Sequence, residues 1–211
     1  KDGQNTHFRA GLSMVPIPEW FRFCPVCVEH DRRQFGESYW HRVHQTPGVE
    51  VCPIHTVYLQ QSELRIWNRK ARDAFISAES VLRQVSPGAA TSLLPSDEPL
   101  LHVAHDVMWL LNQRYLSPDP DTLHRRYLNL LDERQLVDPA FRVITAKFLT
   151  AFKAHYPTTL LNRLNCELNE SSGVPWPLRV LRPACGARYP VCHLLIMHFL
   201  GYTAEKFFKV P

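Results

Sequence analysis

No apolar run in this sequence approaches the roughly 20 residues that a membrane span needs. The richest stretch, Cys192 to Leu200, is short and contains two histidines. No signal peptide is visible, and a chain that opens at Lys1 without a methionine reads as a fragment, or as the ordered part of something longer. There is no P-loop, no glycine-rich dinucleotide turn and no GxSxG element, which argues against the common nucleotide-dependent and serine-nucleophile enzymes. There is no internal repeat, so a solenoid is excluded. Six cysteines in 211 residues do not suggest a disulfide scaffold. A formal net charge of +4 is too small to name a partner by itself.

What is present is globular. Hydrophobic residues make up 45% of the chain and charged residues 21%, enough apolar material for a real core without the signature of disorder. The distribution of charge is more informative than its total. Residues 1–100 carry 11 basic and 11 acidic side chains, which cancel. Residues 142–211 carry nine basic side chains (Arg142, Lys147, Lys153, Arg163, Arg179, Arg182, Arg188, Lys206 and Lys209) against Glu167, Glu170 and Glu205. Such a surplus is either a footprint for phosphates or an ordinary solvated face.

The chain changes texture along its length. Residues 1–20 are polar and turn-rich. Residues 21–60 are aromatic and broken by Pro25, Gly36, Pro47, Gly48 and Pro53, a pattern that predicts turns, knuckles and short strands rather than helices. Residues 84–99 read QVSPGAATSLLPSDEP, the composition of a linker. Helical periodicity follows. Leu100–Tyr115 aligns Val103, Val107, Leu110 and Leu111, with Ser96 as a candidate cap, and Asp121–Glu133 aligns Leu123, Tyr127, Leu130 and Leu131. Ile144–Tyr156 turns Ile144, Phe148, Leu149 and Phe152 inward and Lys147, Thr150 and Lys153 outward. Pro157 stops it, and Thr158–Leu168 begins another helix with Thr158 or Thr159 as cap. Val191–Leu200 ends at Gly201, and Thr203 caps a final helix through Phe208. The expected fold is mainly α, a small ribbon or knuckle module over 1–83, a linker over 84–99 and a helical bundle with helix-turn-helix-like modules over 100–211.

Two similar knuckles, Cys24-Pro-Val-Cys27 and Cys52-Pro-Ile-His55, lie 24 residues apart. Two residues between ligands let both side chains of a turn meet one ion, and zinc takes four such ligands in a tetrahedron. The spacing therefore predicts a structural zinc on Cys24, Cys27, Cys52 and His55. A thioredoxin-type redox pair would leave the second knuckle unexplained and lacks a βαβ setting. Cys24, Cys27, His41 and His44 also make a zinc-finger spacing, one that strands Cys52 and His55. Cys185, Cys192 and His193 are poorly spaced for a second site and read as buried thiols and a packed histidine.

The segments FRFCPVC at Phe21–Cys27, GESYW at Gly36–Trp40 and CPIH at Cys52–His55 resemble the zinc-ribbon signature of the TniQ/TnsD family of transposon target-selection proteins. Trp176–Arg182 and Tyr189–Gly201 resemble the family's later segment, in which a Pro and a His precede an apolar helix. LHRRYLNLLDERQLV and FLTAFKAHYP resemble its helical recognition modules. The sequence lacks the N-terminal helix-turn-helix region usual in the family, and a second CxxC ribbon. The resemblance implies a cytoplasmic, nucleoid-associated bacterial protein with double-stranded attachment-site DNA and the AAA+ ATPase TnsC as partners and no membrane. Relatives in CRISPR-associated elements ride instead on an RNA-guided effector.

Three functions compete. A DNA-binding adaptor would use Arg142, Lys147, Lys153 and Arg163 around a helix pair joined at Pro157, with Arg125 and Arg126 on phosphates and Arg179, Arg182 and Arg188 beside an apolar helix. Lys206 and Lys209, in the pair of helices around Gly201, are further candidates. A metalloenzyme would use His102, His105 and Asp106, yet these residues lack the HExxH glutamate and paired carboxylates. A protein-bridging scaffold would barely touch DNA. The expectation is an adaptor and not an enzyme.

Overall fold

A computed structural model describes residues 15–66, 75–114, 119–168, 173–183 and 190–209. The chain divides into two compact units, and the division falls after Asn112.

In the unit Ile17–Asn112, strand β1 (Trp20–Phe23) pairs antiparallel with β2 (Gln60–Arg65), with an irregularity between Trp20 and Arg22. Helix α1 spans Pro25–Phe35, where only turns and short strands were expected. The correction has a local cause. The Cys24 side chain caps the helix by accepting from Cys27 N, Pro25 fills the first turn where no donor is needed, and Gly36 ends it at φ 84. The residues read as knuckle punctuation are helix start and stop signals.

Helix α2 (Ala78–Leu82) packs on α1 through a core of Phe23, Val28, Ala78 and Leu82. Arg32 ties the two together. Its guanidinium donates to Glu79 at 3.0 Å, to Leu82 O at 2.7 Å and to Val85 O at 2.9 Å, so one cation takes up carbonyls at the end of α2. Glu79 also accepts from Ser38 N and Oγ. The Arg32 hydrogen bond brings the Glu79 carboxyl down to about 2.

The linker expected at 84–99 is ordered and belongs to this unit. Two 3-10 turns occupy Pro87–Ala89 and Pro95–Asp97. Tyr58 N donates to Thr91 O at 2.9 Å, and Tyr58 Oη donates to Asp97 at 2.6 Å. Helix α3 then spans Glu98–Leu111, without the expected side-chain cap from Ser96. Val103 and Val107 are buried as expected, while Leu111 is exposed.

In the second unit, α4 (Pro120–Glu133) buries Leu123, Tyr127, Leu130 and Leu131, as its periodicity predicts. Helix α5 (Thr145–His155) buries Phe148 and Phe152. Ile144 was expected inward but stands outside this helix and is 37% exposed. A two-residue joint, Tyr156-Pro157, leads to α6 (Thr158–Arg163), which has no threonine cap. Short α7 (Trp176–Val180) and α8 (Pro190–Phe199) follow, and α9 (Ala204–Lys209) is capped by Thr203 accepting from Lys206 N.

Seven consecutive residues of α8, Val191–Met197, are buried. Aromatic rings pack around Phe152, with Phe199 at 5.3 Å and Trp176 at 5.6 Å between centroids. Such edge-on and tilted pairs add to the burial of their area. Two polar pairs lie inside: Tyr127 meets His193 at 2.9 Å, and Trp176 donates to Cys166 O at 2.8 Å. Cys192 Sγ lies 3.9 Å from Cys166 Sγ, and both buried thiols are outside any disulfide. The expectation for Cys185 lies outside the described residues.

Replacing Arg32 by Ala should destabilise the first unit by about 2 kcal/mol in denaturant unfolding, through loss of charge-assisted bonds and exposure of unpaired carbonyls. Because Glu79 is depressed from 4.5 to about 2, its contribution is complete above 4.5 and is lost as pH falls towards 2. Glu79→Gln should remove that part of the acid sensitivity; an unchanged pH profile would show that the pair carries no linkage.

Candidate metal centre

Helix α1 and the knuckle of Cys52–His55 bring four donors together. Cys24 lies at the α1 cap and Cys27 in its first turn, so the helix itself sets their spacing. In the second knuckle, Thr56 adopts φ 54 and donates its N–H to Cys52 O, which folds His55 back towards Cys52. His105 of α3 donates from Nε2 to Pro53 O at 2.9 Å and pins the knuckle from the other side.

The three thiols and the His55 imidazole lie within 4.8 Å of one another. Cys27 Sγ is 3.6 Å from Cys52 Sγ, and His55 Nδ1 is 3.6, 3.3 and 3.7 Å from the sulfurs of Cys24, Cys27 and Cys52. A tetrahedral zinc with bonds of about 2.3 Å to sulfur and about 2.0 Å to nitrogen sets edges of about 3.8 Å and about 3.5 Å. The donor set therefore fits such an ion in both chemistry and size.

Electrostatics point the same way. Cys24, Cys27 and Cys52 are buried, and Val57, Leu59 and Ala90 pack around them. Hydrogen bonds from Cys27 and Cys52 draw the Cys24 thiol far below its usual range. The proton shared with Cys24 pushes Cys27 up, and burial adds to this. Three thiolates so close in an apolar pocket repel one another, and a divalent cation at their centre removes the conflict.

The alternative ligands stand beside this cluster. His41, His44 and Cys27 form a second group whose donor atoms also lie within 4.8 Å of one another. His41 Nε2 donates to the buried Asp31 carboxylate at 2.8 Å, and its ring stacks on His44 at 4.8 Å. Burial brings His44 down to about 3 and keeps it neutral. From sequence, His41 and His44 are expected to pack beside Trp40 or to hydrogen-bond to the ribbon if they are not ligands, and His41 does bond Asp31 of α1. The bond from His105 to Pro53 O was not read from sequence, its partner lying 52 residues away.

His102, His105 and Asp106 do not converge as a metal group among the described residues. His102 faces Glu98 at 3.8 Å, and Asp106 is buried. Of the basic side chains, Arg125, Arg142, Lys147, Lys153, Arg163, Arg179 and Arg182 are exposed. Arg126 is half-buried and lies 4.7 Å over the Phe207 ring, so it is not on an open polar face as expected. Lys147 donates to Gln135 O at 2.7 Å, and Arg142 pairs with Asp138 at 2.8 Å. Arg188 lies outside the described residues.

Elemental analysis should find one divalent ion per chain. Cys27→Ser should release it and unfold Ile17–Asn112, because ligand binding of about 10–16 kcal/mol exceeds what a domain of this size holds in reserve. Full metal occupancy in that variant would contradict the assignment.

Residues 103–211, just over half of the chain, match the family model TnsD, Tn7-like transposition protein D. Residues 2–59 match the family model TniQ, and this span contains all four donors. No curated protein matches the chain. The chain belongs to the family of Tn7-like transposition protein D, with a TniQ region at its start.

Proposed function

We propose that this protein selects the target site in Tn7-like transposition by binding attachment-site duplex DNA, and that it recruits a TnsC-like AAA+ ATPase there. The observation that carries the reading is a coincidence: the TnsD match at 103–211 spans the same stretch as the exposed cations Arg125, Arg142, Lys147, Lys153, Arg163, Arg179 and Arg182. In this reading α5 and α6 act as a helix-turn-helix-like pair. Phe148, Phe152, Leu160 and Leu161 hold the pair to the core, while Lys147, Lys153 and Arg163 face solvent. Exposed cations release counterions from DNA and supply affinity without reading sequence.

The metal centre has a separate job. With zinc bound by Cys24, Cys27, Cys52 and His55, all four positions are filled by protein, so the ion holds the fold and does not activate water. The protein itself then neither cuts nor joins DNA, and the strand chemistry belongs to partner subunits.

Lys147, Lys153 and Arg163 changed together to Glu should abolish measurable binding to attachment-site duplex and leave metal content unchanged. Each single change should lower the salt slope by about one unit. Normal duplex binding by the triple variant would replace this reading with a bridging one, in which an RNA-guided effector supplies the DNA contacts.

A further inference from the structure

Phe141 sits at a position that its side chain does not suit. Residues 137–143 form a tight hairpin in which Val137 and Val143 pair antiparallel. Asp138 N donates to Arg142 O at 2.9 Å, and Phe141 N donates to Asp138 O at 2.8 Å. The Asp138 carboxylate closes the turn from within, accepting from the backbone N–H of Ala140 and Arg142 and from Arg142 Nε, each at 2.9 Å. This is a turn followed by one left-handed residue, a place for glycine or asparagine. Phenylalanine occupies it at φ 56. The other non-glycine residues with positive φ among those described, Thr56, Gln135 and Asn165, are polar. A bulky side chain is strained there, and strain of this kind concentrates at functional positions.

Burial does not explain the choice, since Phe141 is 49% exposed. The residues that follow it in sequence are cationic. From 139 to 153 there is no carboxylate, Arg142 pairs with Asp138 of the turn, and Lys147 and Lys153 are exposed on α5. Ile144, 37% exposed, stands three residues from the ring. A rigid tip therefore presents an aromatic face among positive charges.

We propose that Phe141 is a base-stacking contact. Resting on the duplex-binding reading above, the ring lies against a base step of the bound DNA while Arg142 and Lys147 reach the flanking phosphates. In a duplex each base face is covered by its neighbour, so the ring gains a stacking partner only by entering a step, a contact that reads no base edge. An apolar wedge pressed into a step also opens it and bends the duplex. The closed turn holds the ring in place before binding, so little freedom is lost on contact.

Phe141→Gly and Phe141→Trp separate the ring from the turn, using the full chain and a mixed-sequence duplex oligonucleotide over a range of salt. Phe141→Gly should melt at a higher temperature, because glycine suits the left-handed position. It should bind about tenfold more weakly with an unchanged salt slope, since stacking involves no counterion release. Phe141→Trp should bind as the parent does. Parental affinity in Phe141→Gly, while the Lys147/Lys153/Arg163 triple variant loses binding, would overturn this contact alone. A parent chain that binds no duplex would overturn it together with the function on which it rests.

Discussion

Three thiols and one imidazole from two stretches of chain, 24 residues apart, meet within 4.8 Å inside an apolar pocket. Left to themselves they would repel as thiolates or crowd as thiols, and this small unit has little core to hold them together. A divalent cation at their centre would turn that conflict into the strongest constraint in the unit. The consequences run outward. Cys24 is both a donor of the cluster and the cap of α1, so the direction of α1 is tied to the cluster. Arg32 on α1 then binds the end of α2, and His105 on α3 grips the knuckle backbone at Pro53. Each of these bonds is modest, and together they depend on the ligand cluster being closed.

The second unit is built on other terms. It carries no such cluster among its described residues and relies on an apolar interior, with α8 buried along most of its length and aromatic rings packed around Phe152. Its helices end in left-handed turns at Gln135, Asn165 and Gly201, where the next N–H reaches back to Leu131, Leu161 or Met197. These sharp stops let short helices pack closely while lysines and arginines remain outside. The lysines and arginines exposed over this core are those to which the proposed function assigns contact with DNA.

Much of this was legible from residues alone. The ligand cluster follows from two knuckles of matching spacing, and α4 from a clean apolar periodicity that the burial of Leu123, Tyr127, Leu130 and Leu131 reproduces. The misreadings have physical causes. Pro25 and Gly36 carry the same punctuation whether they bound a knuckle or a helix, and only the Cys24 cap decides between them. The stretch at 84–99 has the composition of a linker, yet hydrogen bonds with Thr56 and Tyr58, just after the second knuckle, hold it, and composition does not record partners distant in sequence. Arg126 falls between the polar and apolar faces of α4, and its place over Phe207 depends on where α9 packs. The strain at Phe141 is invisible until the turn around it is known.

The proposed function divides labour between a metal-held unit at Ile17–Asn112 and a DNA-contacting unit that begins at Gln113, along the split of the chain. Hydrogen exchange read peptide by peptide, in the metal-bound protein, after chelation and with attachment-site duplex, tests this most directly. Chelation should strip protection from Ile17–Asn112 while α4, α5 and α8 keep theirs, and duplex should add protection around α5, α6 and the turn at 138–142. Loss of protection throughout both units on chelation, or duplex protection confined to Ile17–Asn112, would contradict it.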